Sequence, residues 1–135
     1  MKRRATTERY VRLTHRMMQT QAWRSLDGVA RAIYLELAAL YNGRNNGSVG
    51  LSVRQAAQAV GVSKATAARA MLLLQDRGFI AAVTKGRFFD RLRHATEWRL
   101  TEFKCDLTGQ PASRDFDLWH TADILPLRPQ RGTDG

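Results

Sequence analysis

Residues 53–77, "VRQAAQAVGVSKATAARAMLLLQDR", constrain the fold more than any other stretch. Apolar residues recur at helical spacing on both sides of Gly61-Val62-Ser63: Val53, Ala56, Ala57 and Val60 before it, Ala67, Ala70, Met71 and Leu74 after it. Three residues leave room only for a tight turn, so two helices must meet there. Ser52 and Gln55 fit a capping box ahead of the first helix, Val53 to Val60. Gly61 can adopt the left-handed conformation that ends it. Ser63 caps the second helix, Lys64 to Arg77, and Gly78 closes it, with Arg77 favourable in the negative last turn.

The flanking sequence supplies the rest of a core. A short helix is expected from Thr14, its cap, to about Gln21, anchored by Met17, Met18 and Trp23. Ser25 is the expected cap of a longer helix, roughly Leu26 to Tyr41, in which Leu26, Val29, Ile33, Leu37 and Leu40 keep helical spacing. Tyr34, Leu35, Ala38 and Ala39 widen its apolar surface, so more than one side needs cover: from the N-terminal segment, the C-terminal segment or a second subunit. "NGRNNG" breaks the chain, and Val49 and Leu51 then alternate as in a short strand.

"FIAAVT", residues 79–84, and "TEWRLT", residues 96–101, read as two strands of a hairpin. The basic connector "KGRFFDRLRHA" is longer than a tight turn and is expected to project as a loop. Phe79, Ala81 and Val83 alternate with Ile80 and Ala82, so both faces of the first strand are apolar. Phe116 to Trp119 is the expected cover for the second face. The organisation that follows is a basic flexible arm (1–13), a domain (14–103), a C-terminal extension packed on it (104–125) and a disordered tail (126–135).

Charge narrows the partner. The net charge is +10, and it is unevenly placed: residues 1–99 carry 18 Lys or Arg against six acids, whereas residues 100–135 carry four against six. A basic body of this size points to an anionic partner, most often nucleic acid. Cys105 is the only cysteine, so an internal disulfide is impossible, and a lone thiol fits a reducing cytosol. "MKRRATTERYVRLTHRMM" has a basic start without an apolar core, and no apolar run approaches the ~20 residues of a membrane span, so neither secretion nor membrane insertion is expected. His15, His94 and His120 have no ligand spacing, and there is no phosphate-binding loop and no nucleophile elbow. The expectation is a non-enzyme without metal or cofactor.

The order of helix, short strand, helix, tight turn, helix, strand, basic loop, strand places a hairpin after a helix-turn-helix. "LSVRQAAQAVGVSKATAARAMLLLQDRGFI" resembles the core of winged helix-turn-helix DNA-binding proteins of bacteria. "NNGSVGLS" and "HATEWRLT" are similar to a subgroup found in bacterial chromosomes, plasmids and prophages. The likeness covers roughly residues 25–101. It implies a mainly α fold with a small β-hairpin wing, here with an extra N-terminal helical segment and a C-terminal extension. It also implies a cytoplasmic, nucleoid-associated regulator of transcription that binds double-stranded DNA. The same fold serves replication initiators of plasmids and phages, and protein-interaction modules that antagonise other regulators.

On that expectation the recognition helix, about 64–77, lies in the major groove. Its early outward residues are Ser63, Lys64, Ala65, Thr66, Ala68 and Arg69, none of them acidic. Ser63 and Thr66 offer hydroxyls to phosphate oxygens, Ala65 and Ala68 permit close approach, and Arg69 meets either a guanine edge or a phosphate. Arg54 is a phosphate candidate. Lys85, Arg87, Arg91 and Arg93 would carry the wing, at 85–94, to the backbone or minor groove. Lys2, Arg3, Arg4 and Arg9 could reach along the duplex or merely solubilise an arm. Phe88 and Phe89 either anchor the wing or meet a partner; Leu72 and Leu73 are either covered within the chain or form a homodimer or partner patch. A small-molecule effector is not expected.

Overall fold

A computed structural model describes residues 8–84, the backbone of 87–89, and residues 95–121. The described residues form five helices and a small antiparallel sheet, in the order α1 (His15–Met18), α2 (Gln21–Arg24), α3 (Gly28–Leu40), β1 (Val49–Gly50), α4 (Val53–Val60), α5 (Lys64–Asp76), β2 (Ile80–Thr84), β3 (Arg87–Phe89) and β4 (Glu97–Leu100). A single 3-10 turn, Asp115–Asp117, follows.

The tight-turn pair forms as its sequence dictates. Ser52 Oγ accepts the Gln55 amide at 3.1 Å while Gln55 Oε1 accepts the Ser52 amide at 2.8 Å, which completes the capping box. Gly61 ends α4 at φ 74°, ψ 38°. Ala56 and Ala57 of α4 and Ala67 and Ala70 of α5 are buried, and their small side chains let the two helices pack closely.

The N-terminal helices differ from the expectation in their caps. The segment from Thr14 divides into two single-turn helices, because Thr20 caps a second one by accepting the Trp23 amide at 3.1 Å. Ser25 does not start α3. Its hydroxyl donates to Ala22 O at 2.7 Å and ends α2, and Asp27 caps α3 by accepting the Ala30 amide at 2.8 Å. The helix thus begins two residues later than a Ser25 cap would set it, with the Asp27 carboxylate taking a free amide of its first turn.

The sheet order is β1-β4-β2-β3. β2 and β4 pair as expected, Ile80 with Leu100 and Ala82 with Trp98. The connector is not all loop. Thr84 pairs with Arg87 and Ala82 with Phe89, so β3 doubles back along the free edge of β2. Only Lys85 and Gly86 separate the two strands in sequence, the length of a two-residue hairpin. Lys85, Arg91, Arg93 and His94 lie outside the described residues, as do Lys2, Arg3, Arg4 and the tail at 126–135.

Aromatic rings join the parts of the core. Trp23, Tyr34 and Phe79 meet edge to face with centroids 5.7–5.8 Å apart, and Phe116 stacks on Phe79 at 4.9 Å. Burial raises the Tyr34 hydroxyl above its ordinary pKa, with the Glu102 carboxylate adding to the effect. The C-terminal segment thus packs on Phe79, just ahead of β2, and on α2, and the Arg77 guanidinium covers Trp119 at 4.3 Å.

Two glycines of the same conformation separate strain from space. Gly61 (φ +74°) has nothing within 4 Å of an added Cβ, whereas Gly78 (φ +87°) would set one 2.7 Å from the backbone of Asp115 and Phe116. Gly61→Ala should cost about 1 kcal/mol, the left-handed penalty alone. Gly78→Ala should cost at least about twice that, because the backbone of the C-terminal segment must also shift. Urea midpoints of the two variants check the order; equal losses would mean that the C-terminal segment yields freely.

A candidate nucleic-acid interface

Two helix starts and one strand start converge on a single concavity of about 400 Å³. Ser52, Val53 and Arg54 come from the beginning of α4, Lys64, Ala65 and Ala68 from the beginning of α5, and Ala95 and Thr96 from the approach to β4. Its position is fixed from below. The Leu51 amide donates to Thr96 O at 2.8 Å, and Trp98 Nε1 donates to Leu51 O at 2.8 Å. The fully buried Trp98 therefore holds the start of α4 against β4.

The chemistry of the lining is simple. Arg54 and Lys64 stand exposed and make no ion pair among the described residues. Between them the wall is alanine, valine and hydroxyl, with no acid among the described residues. A carboxylate there would repel an anion; an alanine lets a sugar or a base edge approach to van der Waals distance.

Ser63, Thr66 and Arg69 form a separate cluster beside it. Ser63 Oγ accepts the Thr66 amide at 3.1 Å and donates to Thr66 Oγ1 at 3.0 Å. Arg69 Nη2 donates to the same Thr66 Oγ1 at 3.2 Å. The two hydroxyls expected at phosphates are thus turned to one another and to Arg69. The guanidinium is held back along α5 towards its N-terminus, with Nε and Nη1 unpaired among the described residues.

Of the residues singled out from sequence, Arg54, Lys64, Ala65 and Ala68 line the concavity, and Ser63, Thr66 and Arg69 sit on the adjoining ridge. Arg87 belongs to β3, whose backbone alone is described. Val53, Ala95 and Thr96 were not singled out. Their contribution is a wall, and no side-chain chemistry marks a wall in a sequence. Leu73 is half-buried against the core, and Leu72 is also half-buried.

Other arginines, of the basic body and of the segment that follows it, serve the fold. Arg77 Nε donates to Ser25 Oγ at 2.8 Å and its Nη1 pairs with Asp76 at 2.6 Å. Arg31 Nη2 donates to Trp23 O at 3.1 Å, Arg99 Nη1 to Ser113 Oγ at 3.3 Å, and Arg114 pairs with Glu102 at 3.0 Å. The charge count therefore overstates the basic surface on offer. Among the described residues no His, Cys, Asp and Glu group is placed to hold a metal ion, and no helix is long and apolar enough to cross a membrane. Compared with protein-family models, with curated proteins and with solved structures, the chain has no significant match.

Proposed function

We propose that the protein binds double-stranded DNA as a winged helix-turn-helix regulator of transcription in a bacterial cytoplasm, acting by binding and not by catalysis. One observation carries the reading: two cations from different helices, unpaired among the described residues, flank a concavity at the start of α5 whose described lining is rich in alanine and holds no acid. Phosphates suit Arg54 and Lys64, and the alanines allow the depth of approach that a major groove about 12 Å wide requires. Lys85, Arg87, Arg91 and Arg93 would extend the contact as a wing on the backbone or minor groove. The mixed helix and sheet architecture supports this assignment, with β2 following α5 directly and pairing with β4.

Selection from a random duplex pool at ~0.15 M salt tests it, because phosphate-driven binding survives there only if several contacts act together. Retention with an enriched site is the expected result. No retention would remove the reading.

Arg69 is the side chain best placed to read a base. Losing it should weaken binding to the enriched site by about 1–3 kcal/mol, and to random duplex by clearly less. Thr66→Val, which removes the hydroxyl that holds the guanidinium, should reduce the same preference while leaving the salt slope unchanged. Equal losses on both DNAs for Arg69→Ala would make Arg69 a phosphate contact.

A further inference from the structure

At the far end of α3 an open cleft of about 540 Å³ shares no residue with the concavity of α4 and α5. Its walls combine two kinds of group. Tyr41 and Phe103 stack with centroids 4.5 Å apart and planes 17° from parallel, and the exposed Tyr10 stands beside them. Arg9 and Arg12 bring two guanidiniums, and Arg12 Cζ lies 5.6 Å from the Phe103 centroid. No acid lines the cleft, and neither arginine makes an ion pair among the described residues.

We propose that this cleft binds a small molecule in which a flat ring carries an anionic group, the ring lying on the Tyr41–Phe103 stack and the anion meeting Arg9 and Arg12. The cleft has the volume usual for small-ligand sites, which lie at roughly 300–1,000 Å³. Aromatic walls favour a planar guest through offset stacking. A guanidinium fork favours a carboxylate or phosphate through paired, charge-assisted hydrogen bonds. Tyr41 adds a donor: its hydroxyl is raised above the ordinary value by burial first and by the Asp106 carboxylate second, against a smaller opposing effect of Arg12, so it stays protonated. Asp106 does not line the cleft, and its Oδ2 is occupied by the Asn46 amide at 2.9 Å. The site shares no residue with the concavity of α4 and α5, although Arg9 also belongs to the basic arm expected to reach along a duplex.

Titration of the full chain with 1-naphthoate and with adenosine monophosphate, followed by amide chemical shifts and calorimetry, tests the proposal and separates its two chemical sources. Neutral 1-naphthamide and non-planar cyclohexanecarboxylate are the controls. The expected result is saturable binding of at least one planar anion, with shifts at Tyr41, Phe103 and Arg12. Each control should bind at least ~10-fold more weakly, the effect of losing one charge-assisted or stacking contact. Arg12→Gln and Arg9→Gln change exposed side chains and should each lower affinity by a similar factor. Binding no tighter than that of the controls, or unchanged in both variants, overturns the proposal. So does the finding that neither anion binds while both variants weaken duplex binding, because the cleft would then be a contact for the DNA backbone.

Discussion

Asn46→Ala is expected to lower the thermal unfolding midpoint by roughly 15 °C, corresponding to about 3 kcal/mol for a domain of this size. The side chain is fully buried and uses both ends of its amide. Nδ2 is shared among the carbonyls of Leu100 at 2.9 Å, Lys104 at 2.9 Å and Phe103 at 3.2 Å, and Oδ1 accepts the Leu100 amide at 2.7 Å. Its backbone works as hard. The Asn46 amide donates to Asp106 Oδ2, and its carbonyl accepts from the amides of Asp106 at 2.9 Å and Leu107 at 3.1 Å. One residue thus ties the loop before β1 to the end of β4 and the turn beyond it. Truncation leaves the Leu100 amide and several carbonyls buried without partners, each costing about 1–3 kcal/mol unless water enters. Asn46→Asp discriminates the causes. It keeps an acceptor for Leu100 but aims a carboxylate at three carbonyl oxygens, so it should be at least as damaging as alanine. A midpoint within 3 °C of wild type for either variant would mean that the network is dispensable.

Asn46 also marks the limit of sequence reading. Within "NGRNNG" three asparagines look alike, and turn chemistry accounts for all of them locally. Only the fold brings residues 100–107 against the second of the adjacent pair. By contrast, α4, its capping box, Gly61 and α5 were legible almost to the residue, because periodicity and caps are local. The pairing of β2 with β4 was legible from two strand-like runs following one another, the first apolar on both faces and the second alternating. β3 was not: Lys85-Gly86 was absorbed into a basic connector, and charge drew attention from the two-residue spacing. The start of α3 at Asp27 was not legible either: Ser25 ends α2, where its hydroxyl donates to Ala22 O and accepts from Arg77 Nε, a partner 52 residues away. For the candidate interface, the cations and alanines could be named from the sequence, but not their meeting with Ala95 and Thr96 across one concavity.

The double charge reversal Arg54→Glu/Lys64→Glu is expected to weaken duplex retention by at least ~100-fold at ~0.15 M salt. Both side chains are exposed and unpaired among the described residues, so the variant should unfold within about 0.5 kcal/mol of wild type. Loss of binding would then not be loss of fold. A charge-matched control separates a local contact from the field of the whole molecule. Arg24→Glu/Arg44→Glu changes the net charge equally at two exposed positions outside the concavity. If the concavity holds phosphates, the control should weaken binding far less. The neutral pair Arg54→Gln/Lys64→Gln should lower the slope of log K against log salt by about two contacts' worth, ~0.9 each. Equal effects of the two charge reversals would mean that long-range attraction dominates and the concavity is incidental. An unchanged slope in the glutamine pair would mean that neither cation meets a phosphate, and the contact surface would have to be sought on the basic segment that follows β2.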